Sequence, residues 1–391
     1  MASLNSSMVG WAHTRFGKLG DEDLESLITR AARDAVADAG VAFEDIDAIF
    51  VGLFNNGFSK QDFPSSLVLQ ADPGLRFKPA TRVENACASG TAAIHAAMNF
   101  IEARKGRLAL VVGAEKMTST PGPQVGENLL AASYIKEGVD GANSFVGVFG
   151  QMTRGYFDRY GDRSASLARI AAKNHRNGVE NPYAQLRVDL GFEFCNTVSA
   201  GNPYVAEPLR RTDCSPVSDG AAALVLADGV TASRMNKAVR FRAAAHVNDF
   251  LPIGGRDMTR YLGAERAWAQ ALSDASLKLD DLSLVETHDC FTIAEMIEYE
   301  AMGLTSHGQG HIAIDEGWTE KDGRLPVNPS GGLKAKGHPI GATGVSMHVL
   351  AAMQLTNTAQ GMQIPGAALA GVFSMGGAAV ANYVSILERM R

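Results

Sequence analysis

The chain has few cysteines, no long apolar run and no basic cluster, and each absence excludes a class of protein. Its 391 residues contain 4 cysteines without a CxxC pair, which predicts free thiols in a reducing compartment and no disulfide framework. No apolar stretch reaches the ~18 residues needed to cross a bilayer, so no membrane association is expected. The net charge is −6 and basic residues are scattered, which predicts no nucleic-acid partner.

The two ends of the chain carry no recognisable targeting signal. The opening MASLNSSMVGWAHTRFG lacks the basic segment and apolar run of a signal peptide. The closing ERMR is not a peroxisomal signal of the Ser-Lys-Leu type. Together with the free thiols, these absences predict a cytoplasmic protein.

A weak internal duplication organises what is present. The segment DAGVAFEDIDAIFVG from Asp38 aligns without gaps on DASLKLDDLSLVETH from Asp274, an offset of 236 residues (274 − 38). Each copy ends an amphipathic helix, roughly 21–40 and 264–277, and then enters a short apolar strand. Chance similarity of two amphipathic segments is the alternative explanation.

A second pair of matched segments supports two similar halves. Gly-rich corners open small-residue helices at ACASGTAAIHAAM and GHPIGATGVSMHVLAAM, and an apolar strand follows each (108–113 and 367–373). Alternating helices and buried strands predict a layered α/β fold. We expect a first half of about 1–117 with 236–250, and a second half of 251–391.

The region 118–235 is richer in polar residues and breakers, and we interpret it as an insertion from the first half that covers the active-site mouth. It should contain helices near 143–160 and 164–177. Its closing segment DCSPVSDGAAALVLAD has the apolar pattern of a core strand, so its end should return to the first half.

Cys87 lies in VENACASG, where a strand of roughly 81–85 runs into a helix of small residues. A sulfur at a helix N-terminus can be stabilised as a thiolate by free N–H groups and the helix dipole. The alternative is a small buried apolar residue. Sequence alone leaves both open.

His338 lies in NPSGGLKAKGHPIGATG, where Gly and Pro neighbours hold the residue in place. A neutral imidazole there can accept a proton and activate a thiol. A structural histidine in a loop is the alternative. Lys334 and Lys336 precede it and could meet phosphates of a cofactor, or could simply be exposed.

His288 and Cys290 alternate in ETHDCFTI at the end of the strand 284–287, so they should face the same crevice between the halves. One could donate a hydrogen bond to an oxyanion while the other transfers a proton. Zinc ligation is the competing interpretation, but no further ligand spacing supports it, so no metal is predicted.

Ser374 in GVFSMGG follows the last apolar strand but one, where small residues can offer backbone N–H groups to an anion. A tight turn between core strands explains the segment equally well.

Taken together, NACASG, DGAAALVLAD, NPSGGLKAKGHPIGATG and GVFSMGG resemble the thiolase superfamily, in thiolase order and over nearly the whole chain. The resemblance implies a five-layered α-β-α-β-α fold of two similar halves with an inserted loop domain. It also implies an acyl-CoA acyltransferase with CoA and acyl-CoA as substrates, no tightly bound cofactor, a role in lipid and fatty acid metabolism, and a homodimer or homotetramer.

The chain departs from most thiolases at two motifs. Ser374 stands where they carry the cysteine of CxGGG, and HDCF replaces their NEAF. The HDCF form is similar to the thiolase part of sterol carrier protein X and related bacterial enzymes, which implies that Cys290 supplies the missing thiol. A serine hydroxyl is too weak an acid to replace that thiol easily near neutral pH.

The resemblance implies that Cys87 is the nucleophile, His338 its base and Cys290 the acid. One oxyanion hole would use His338 and His288, and the other the backbone N–H groups of Cys87 and Gly376. Two alternatives remain: a ketoacyl-synthase-like condensing enzyme, and a non-catalytic acyl-CoA-binding or scaffold protein of the same fold.

Overall fold

A computed structural model describes residues 4–137 and 144–390, and within them nine strands form one mixed sheet. A short hairpin, β5 (Tyr204–Ala206) and β6 (Leu209–Arg210), lies apart from it. The sheet strands are β1 (Ser6–His13), β2 (Ala48–Gly52), β3 (Ala80–Val83), β4 (Leu108–Glu115), β7 (Gly220–Asp228), β8 (Val239–Asn248), β9 (Leu284–Glu286), β10 (Leu369–Gly376) and β11 (Ala381–Arg389).

The helices are α1 (Leu24–Ala39), α2 (Pro64–Leu67), α3 (Ser89–Glu102), α4 (Gly122–Leu130), α5 (Phe145–Tyr160), α6 (Ser164–Val179), α7 (Gly191–Asn196), α8 (Gly229–Ala232), α9 (Leu262–Ala275), α10 (Thr292–Ala301), α11 (Gly310–Asp315), α12 (Gly332–Lys336) and α13 (Ile340–Leu355). Among the described residues, no helix is long and apolar enough to cross a bilayer.

The strand order of the sheet is β3-β2-β4-β7-β1-β8-β11-β10-β9. The strands β1 to β4 and β7 of one half lie on one side of the β1–β8 contact, and the strands β8 to β11 of the other half lie on the other side. The pair β1–β8 joins the two half-sheets through two residue pairs only, Ser7 with Arg240 and Met8 with Val239. In each half, a parallel pair (β2 with β4, β9 with β10) is followed towards the middle by antiparallel neighbours, and the first half has one further parallel strand, β3, at the edge. This arrangement is that of two similar halves.

The duplication seen in the sequence is confirmed by local structure. Helix α1 ends at Gly40 and α9 at Ser276, both in the left-handed conformation (φ 68° and 55°), and the two positions differ by 236. A short 3₁₀ turn follows in each copy, Phe43–Asp45 and Leu279–Asp281, again 236 residues apart. The strands β2 and β9 then begin at 48 and 284, with the same offset.

Five layers result because residues alternate across the strands. In β4, Leu110 and Val112 pack towards α1, whereas Ala109 and Val111 pack towards the centre. Helices α3 and α13 form the central layer, and α13 contacts strands of both half-sheets. Helix α9 covers β8 and β11 on the far side. All 16 residues of α13 are buried, as its small and apolar sequence requires.

The two central helices approach closely because glycine stands where they meet. A Cβ on Gly90 of α3 would lie 2.7 Å from the carbonyl oxygen of Gly341. One on Gly344 of α13 would lie 2.2 Å from the Thr91 hydroxyl oxygen. Larger side chains would therefore separate the beginnings of these helices.

The chain between β4 and β7 contains the expected pair of helices, α5 and α6, although position 143, the expected start, lies outside the described residues. Helix α6 packs against α12 and α10 of the second half. Strand β7 then returns between β4 and β1.

Candidate active site

Cys87 lies in the turn between β3 and α3 and is only 4% exposed. Ala86 has a left-handed backbone (φ 48°), which is costly for a residue with a Cβ and is common at functional turns. The Ser89 hydroxyl holds this conformation: it donates to the Ala86 carbonyl (2.6 Å) and accepts from the Asn85 N–H (2.9 Å). The turn therefore presents Cys87 in one orientation.

His338 stands between α12 and α13, and its partners determine which ring nitrogen carries the proton. The Thr343 hydroxyl lies 2.6 Å from Nδ1 and donates its own hydrogen to the Pro339 carbonyl at 3.0 Å. Since that hydroxyl has one hydrogen, it must accept from Nδ1–H. This leaves Nε2 as a free proton acceptor.

The structure brings together three of the side chains expected from sequence. One ligand atom each from Cys87, His288 and His338 (the sulfur and a ring nitrogen of each histidine) lie within 4.8 Å of one another, and all three residues are buried. The two imidazole rings are 5.0 Å apart between centroids and almost perpendicular, at 87°. The spacing brings one thiol and two imidazoles together in a single buried cluster.

His288 is fully buried, and neither ring nitrogen has a hydrogen-bond partner within the described parts of the chain. A buried polar group without a partner costs free energy, so it indicates a group that awaits a ligand. Strand β9 ends at Glu286, and His288 lies in the short segment before α10. His288 thus reaches Cys87 from a turn. The sequence had predicted that it would do so from a continuation of the strand.

Cys290 is also buried, at 3% exposure. Burial raises the pKa of its thiol well above the usual range, and the nearby Cys87 adds to this shift. The Phe291 ring beside it stacks on Phe149 with centroids 4.3 Å apart. Cys290 is therefore a neutral thiol, buried among apolar side chains and close enough to Cys87 for the two to affect each other's ionisation.

Ser374 and the residues after it flank the nucleophile turn. The Ser374 side chain is fully buried in β10, opposite Tyr383, and its hydroxyl lacks a partner among the residues described. A Cβ on Gly376 would lie 2.3 Å from the Asn85 carbonyl, so only glycine fits there. The N–H of Gly377, which sequence analysis did not single out, interacts with the Cys87 sulfur and lowers its pKa.

Burial decides the resting protonation of Cys87 and His338. It raises the pKa of Cys87 to about 12, against the opposing effect of the Gly377 N–H. It lowers the pKa of His338 to about 3, with Lys336 contributing. The expectation of a thiolate stabilised by the helix N-terminus is therefore wrong for the resting protein, because desolvation outweighs it. Thiol and imidazole are both neutral.

Glu115 at the end of β4 was missed by sequence analysis. Its buried carboxylate accepts hydrogen bonds of 3.0 Å from the backbone N–H groups of Phe54, Asn55 and Gly341. It therefore ties the turn after β2 to the beginning of α13. Burial raises its pKa to about 7.

Asp289, between His288 and Cys290, was also missed. Its carboxylate accepts from the backbone N–H groups of Leu333 (2.6 Å) and Lys334 (3.2 Å) and from the Asn174 amide (2.8 Å). It links the turn that carries His288 to α12, which leads directly to His338. The sequence did contain a signal for this role: alternation along HDCF turns Asp289 to the side opposite His288 and Cys290, where it can contact another element.

The expectation that Lys334 and Lys336 could contact cofactor phosphates or solvent is wrong, because their side chains are 3% and 0% exposed. Both ammonium groups lie inside the protein.

Two known protein families match this chain. The model of the thiolase N-terminal domain matches residues 6–229, and that of the thiolase C-terminal domain-like family matches 251–389. The chain belongs to the thiolase family.

Individual proteins similar to this chain support the family assignment. The chain is 35% identical to an acetyl-CoA acetyltransferase of Methanothermobacter thermautotrophicus over 98% of its length and 99% of the relative's. It is 30% identical to sterol carrier protein 2 of Bos taurus, covering 95% of this chain and 70% of that protein. The thiolase is therefore an acyltransferase of the acetyl-CoA acetyltransferase type, as the motifs predicted.

Solved structures confirm the fold. The Ltp2-ChsH2(DUF35) aldolase superposes with a TM-score of 0.85 at 20% identity, covering 100% of this chain and 99% of that one. A monomeric SCP2-thiolase-like protein of Mycobacterium smegmatis gives 0.75 at 20% identity, over 99% of this chain and 78% of that chain. The thiolase-like layering expected from sequence is thus confirmed.

Proposed function

We propose that this thiolase cleaves 3-oxoacyl-CoA with CoA through an acyl-Cys87 intermediate, or runs the reverse Claisen condensation. The convergence of the Cys87 sulfur with ring nitrogens of His288 and His338 within 4.8 Å is the observation that carries the proposal. CoA and acyl-CoA act as substrates, and no tightly bound cofactor takes part.

In the first half-reaction, Nε2 of His338 accepts the Cys87 proton as the sulfur attacks the keto carbon of the substrate. The free lone pair on Nε2 and its tautomer, held by Thr343, support this role. Because both groups are neutral at rest, proton transfer accompanies the attack. Carbon–carbon cleavage then releases an acetyl-CoA enolate, which Cys290 protonates.

In the second half-reaction, CoA enters and Cys290 takes its thiol proton. The CoA sulfur attacks the acyl carbonyl on Cys87, and the Cys87 sulfur leaves and regains its proton from His338. His288, with an unpartnered ring nitrogen, and His338 would stabilise one oxyanion. The N–H groups of Cys87 and Gly376 would stabilise the other, with Gly377 close to the sulfur.

Aromatic side chains support an acyl chain as the group that is bound. Phe291, next to Cys290, stacks on Phe149, and Phe145 lies 6.5 Å from it between ring centroids. These rings belong to the apolar core around Cys290, and an apolar surrounding of that kind suits an acyl chain, straight or 2-methyl-branched.

The test is thiolysis of straight and 2-methyl-branched 3-oxoacyl-CoA esters with CoA, which should yield acetyl-CoA or propionyl-CoA. Mass spectrometry of a quenched reaction should show an acyl group on the Cys87 peptide. Tight acyl-CoA binding without turnover would support a scaffold protein instead. Decarboxylation-driven condensation without thiolysis would support a ketoacyl-synthase-like enzyme. Because Cys and His also ligate zinc, elemental analysis of active enzyme should accompany the assay.

We further propose a homodimer or homotetramer in the cytoplasm, acting in lipid and fatty acid metabolism. Strand β3 is at the edge of the sheet, and Phe77 just before it is 86% exposed. An open edge beside an exposed aromatic residue supports pairing with a second copy. Light scattering after gel filtration would reveal a monomer if this is wrong.

We also propose the domain division expected from sequence, with one change. The insertion spans 118–235 and its end returns to the first half. Strand β8 pairs with β11 from Val239 to Asn248 but with β1 at only two positions, which favours placing 236–250 in the second half together with 251–391. Limited proteolysis should then cut preferentially within 118–235.

A further inference from the structure

Lys336, the last residue of α12, is fully buried, and its ammonium group has no hydrogen-bond partner within residues 4–137 and 144–390. Burying an unpaired ammonium costs several kcal/mol or more, so such a group is rare unless it serves a purpose. Lys336 stands two residues before His338.

The groups that face this ammonium come from several elements. His13 is at the end of β1, Glu286 ends β9, and His288 and Asp289 follow β9. Lys336 lowers the pKa values of His13, His288 and His338 by charge repulsion, in each case after the effect of burial. Its charge therefore lies close to both imidazoles of the site.

The two nearby acids do not neutralise Lys336 by direct contact. Glu286 accepts from the hydroxyl of Ser330 at 2.6 Å and from its N–H at 3.3 Å. Asp289 is engaged by backbone N–H groups of α12 and by the Asn174 amide. Both carboxylates are thus committed elsewhere.

Lys173 shows what a paired buried lysine looks like in the same region. Its ammonium lies 2.9 Å from Glu295 and donates at 2.7 Å to both the Asn174 side chain and the Val327 carbonyl. Lys336 has no such contact. Burial lowers the pKa of its ammonium group, and the charges of Glu286 and Asp289 oppose that shift. Its own charge acts in turn on His288 and His338.

We propose that Lys336 is an electrostatic positioning residue, which adds to the effect of burial in keeping His288 and His338 uncharged at rest and stabilises negative charge that forms on a substrate oxygen between them. The inference deepens the proposed function, since it assumes that these imidazoles surround the reacting centre. A cation near the oxyanion, itself out of reach of the substrate, favours the transition state without forming a bond.

Lys334 provides a matched control. It is buried on the same helix, but its charge lowers the pKa of His175, and it is near Asp213, Cys195 and Cys214 on the other side. The two lysines thus act on different histidines. Removing the charge of Lys336 should therefore shift the titration of His288 and His338, and removing the charge of Lys334 should shift that of His175.

The experiment follows ¹³Cε1-histidine NMR shifts from pH 8 towards acid, with His288 and His338 assigned by substitution to Gln. In Lys336→Met, the onset of protonation at His288 and His338 should move up by about one pH unit, as expected for loss of a nearby unit charge at an effective dielectric of ~20. His175 should not move. In Lys334→Met, His175 alone should move.

Turnover provides a second readout. Lys336→Met should lower kcat for thiolysis by about tenfold with little change in KM, because the lost interaction is made in the transition state. Lys336→Arg, which keeps the charge, should restore both the titration and most of kcat. If Lys336→Met fails to fold, Lys336→Gln, which keeps a polar end, gives the same comparison.

Unchanged His288 and His338 titrations in folded Lys336→Met and Lys336→Gln would overturn the inference, as would equal shifts in Lys334→Met. The titration requires no turnover. A wild-type protein without thiolysis but with the expected titration pattern would therefore contradict the proposed function alone.

Discussion

The two halves of this thiolase present equivalent corners with opposite chemistry. Cys87 stands two residues before α3, and His338 stands two residues before α13. Cys87 belongs to an apolar cluster with Phe54, Phe58, Met117, Val125 and Ile340. The imidazoles within 4.8 Å of its sulfur, those of His288 and His338, come from the second half. Around His338 the neighbours are His288, Lys336 and the Thr343 hydroxyl.

This difference teaches that the duplication repeats the scaffold and leaves the chemistry free to diverge. The first half supplies a thiol in an apolar setting, which keeps it protonated until substrate arrives. The second half supplies the proton acceptor and the polar groups. The segments that end β2 and follow β9 differ in the same way, since at the offset of 236 residues His288 corresponds to Gly52 and Cys290 to Phe54. Neither half could perform the proposed reaction alone.

The largest expected effect comes from removing the first half's contribution. Cys87→Ala should lower thiolysis by about a thousandfold or more, because the covalent route is lost. The acyl-enzyme should disappear from the mass spectrum. Cys195→Ala, at a buried cysteine outside the site, is the control and should retain both. An acylated Cys87→Ala protein would refute the assignment.

Removing the proposed base in the second half, His338, should lower the rate of thiolysis somewhat less than Cys87→Ala does. His338→Gln should lower kcat by about 10²–10⁴-fold, the usual range for general acid–base catalysis. Alkylation of Cys87 by iodoacetamide should slow in parallel, since the thiol loses its proton acceptor. His246→Asn, at a partly exposed histidine on β8, should leave both rates near those of the wild type. Equal losses in the two variants would indicate a structural effect.

A third comparison decides which residue replaces the missing cysteine. Cys290→Ala should leave Cys87 able to be acylated but slow turnover by about a hundredfold, because the enolate and the CoA thiol lose their proton partner. Ser374→Ala should have little effect. Burst kinetics with a chromogenic or mass-resolved acyl donor separate acylation from turnover. If only Ser374→Ala lost activity, Ser374 on β10, and not Cys290, would be the residue that transfers the proton.

The smallest effect is a difference in pH dependence between the halves. His338 has its pKa lowered to about 3, so the unfolded state binds the extra proton below pH ~6.5, and stability falls as pH drops from there. Glu115 has its pKa raised to about 7, so its effect is opposite: the unfolded state loses a proton first, and stability falls as pH rises from ~4.5 to 7.

Each group changes the free energy of unfolding by about 1.4 kcal/mol per pH unit in its window. Other buried histidines share the direction of His338, among them His13 and His95, with pKa values lowered to about 3. Thermal unfolding should therefore show Tm falling from pH 6.5 towards 4.5. Burial also raises the pKa values of Glu286, Asp289 and Glu298, which oppose this fall as Glu115 does. Glu115→Gln should steepen the fall, since it removes one of the opposing groups, and a shallower slope would contradict the assignment.

Much of the scaffold followed from sequence, because its signals are local. The period of α1 and α9, the apolar strands after them and the small-residue helices α3 and α13 each depend on neighbouring residues in the chain. Motifs around Cys87 and His338 identified candidates in the same way. The ends of elements were less accurate: β4 and β10 extend two and three residues beyond the expected strands.

By itself, the sequence determined two similar halves, the family and the residue types of the site. Tertiary structure alone decided the protonation of that site, the burial of Lys336, the approach of Gly377 to Cys87 and the link that Glu115 makes between the turn after β2 and α13. The physical reason is that desolvation and charge interaction depend on what surrounds a group in space. His338 and Cys87 are 251 residues apart (338 − 87), and only the crossing of α3 and α13 at Gly90 and Gly344 makes them neighbours.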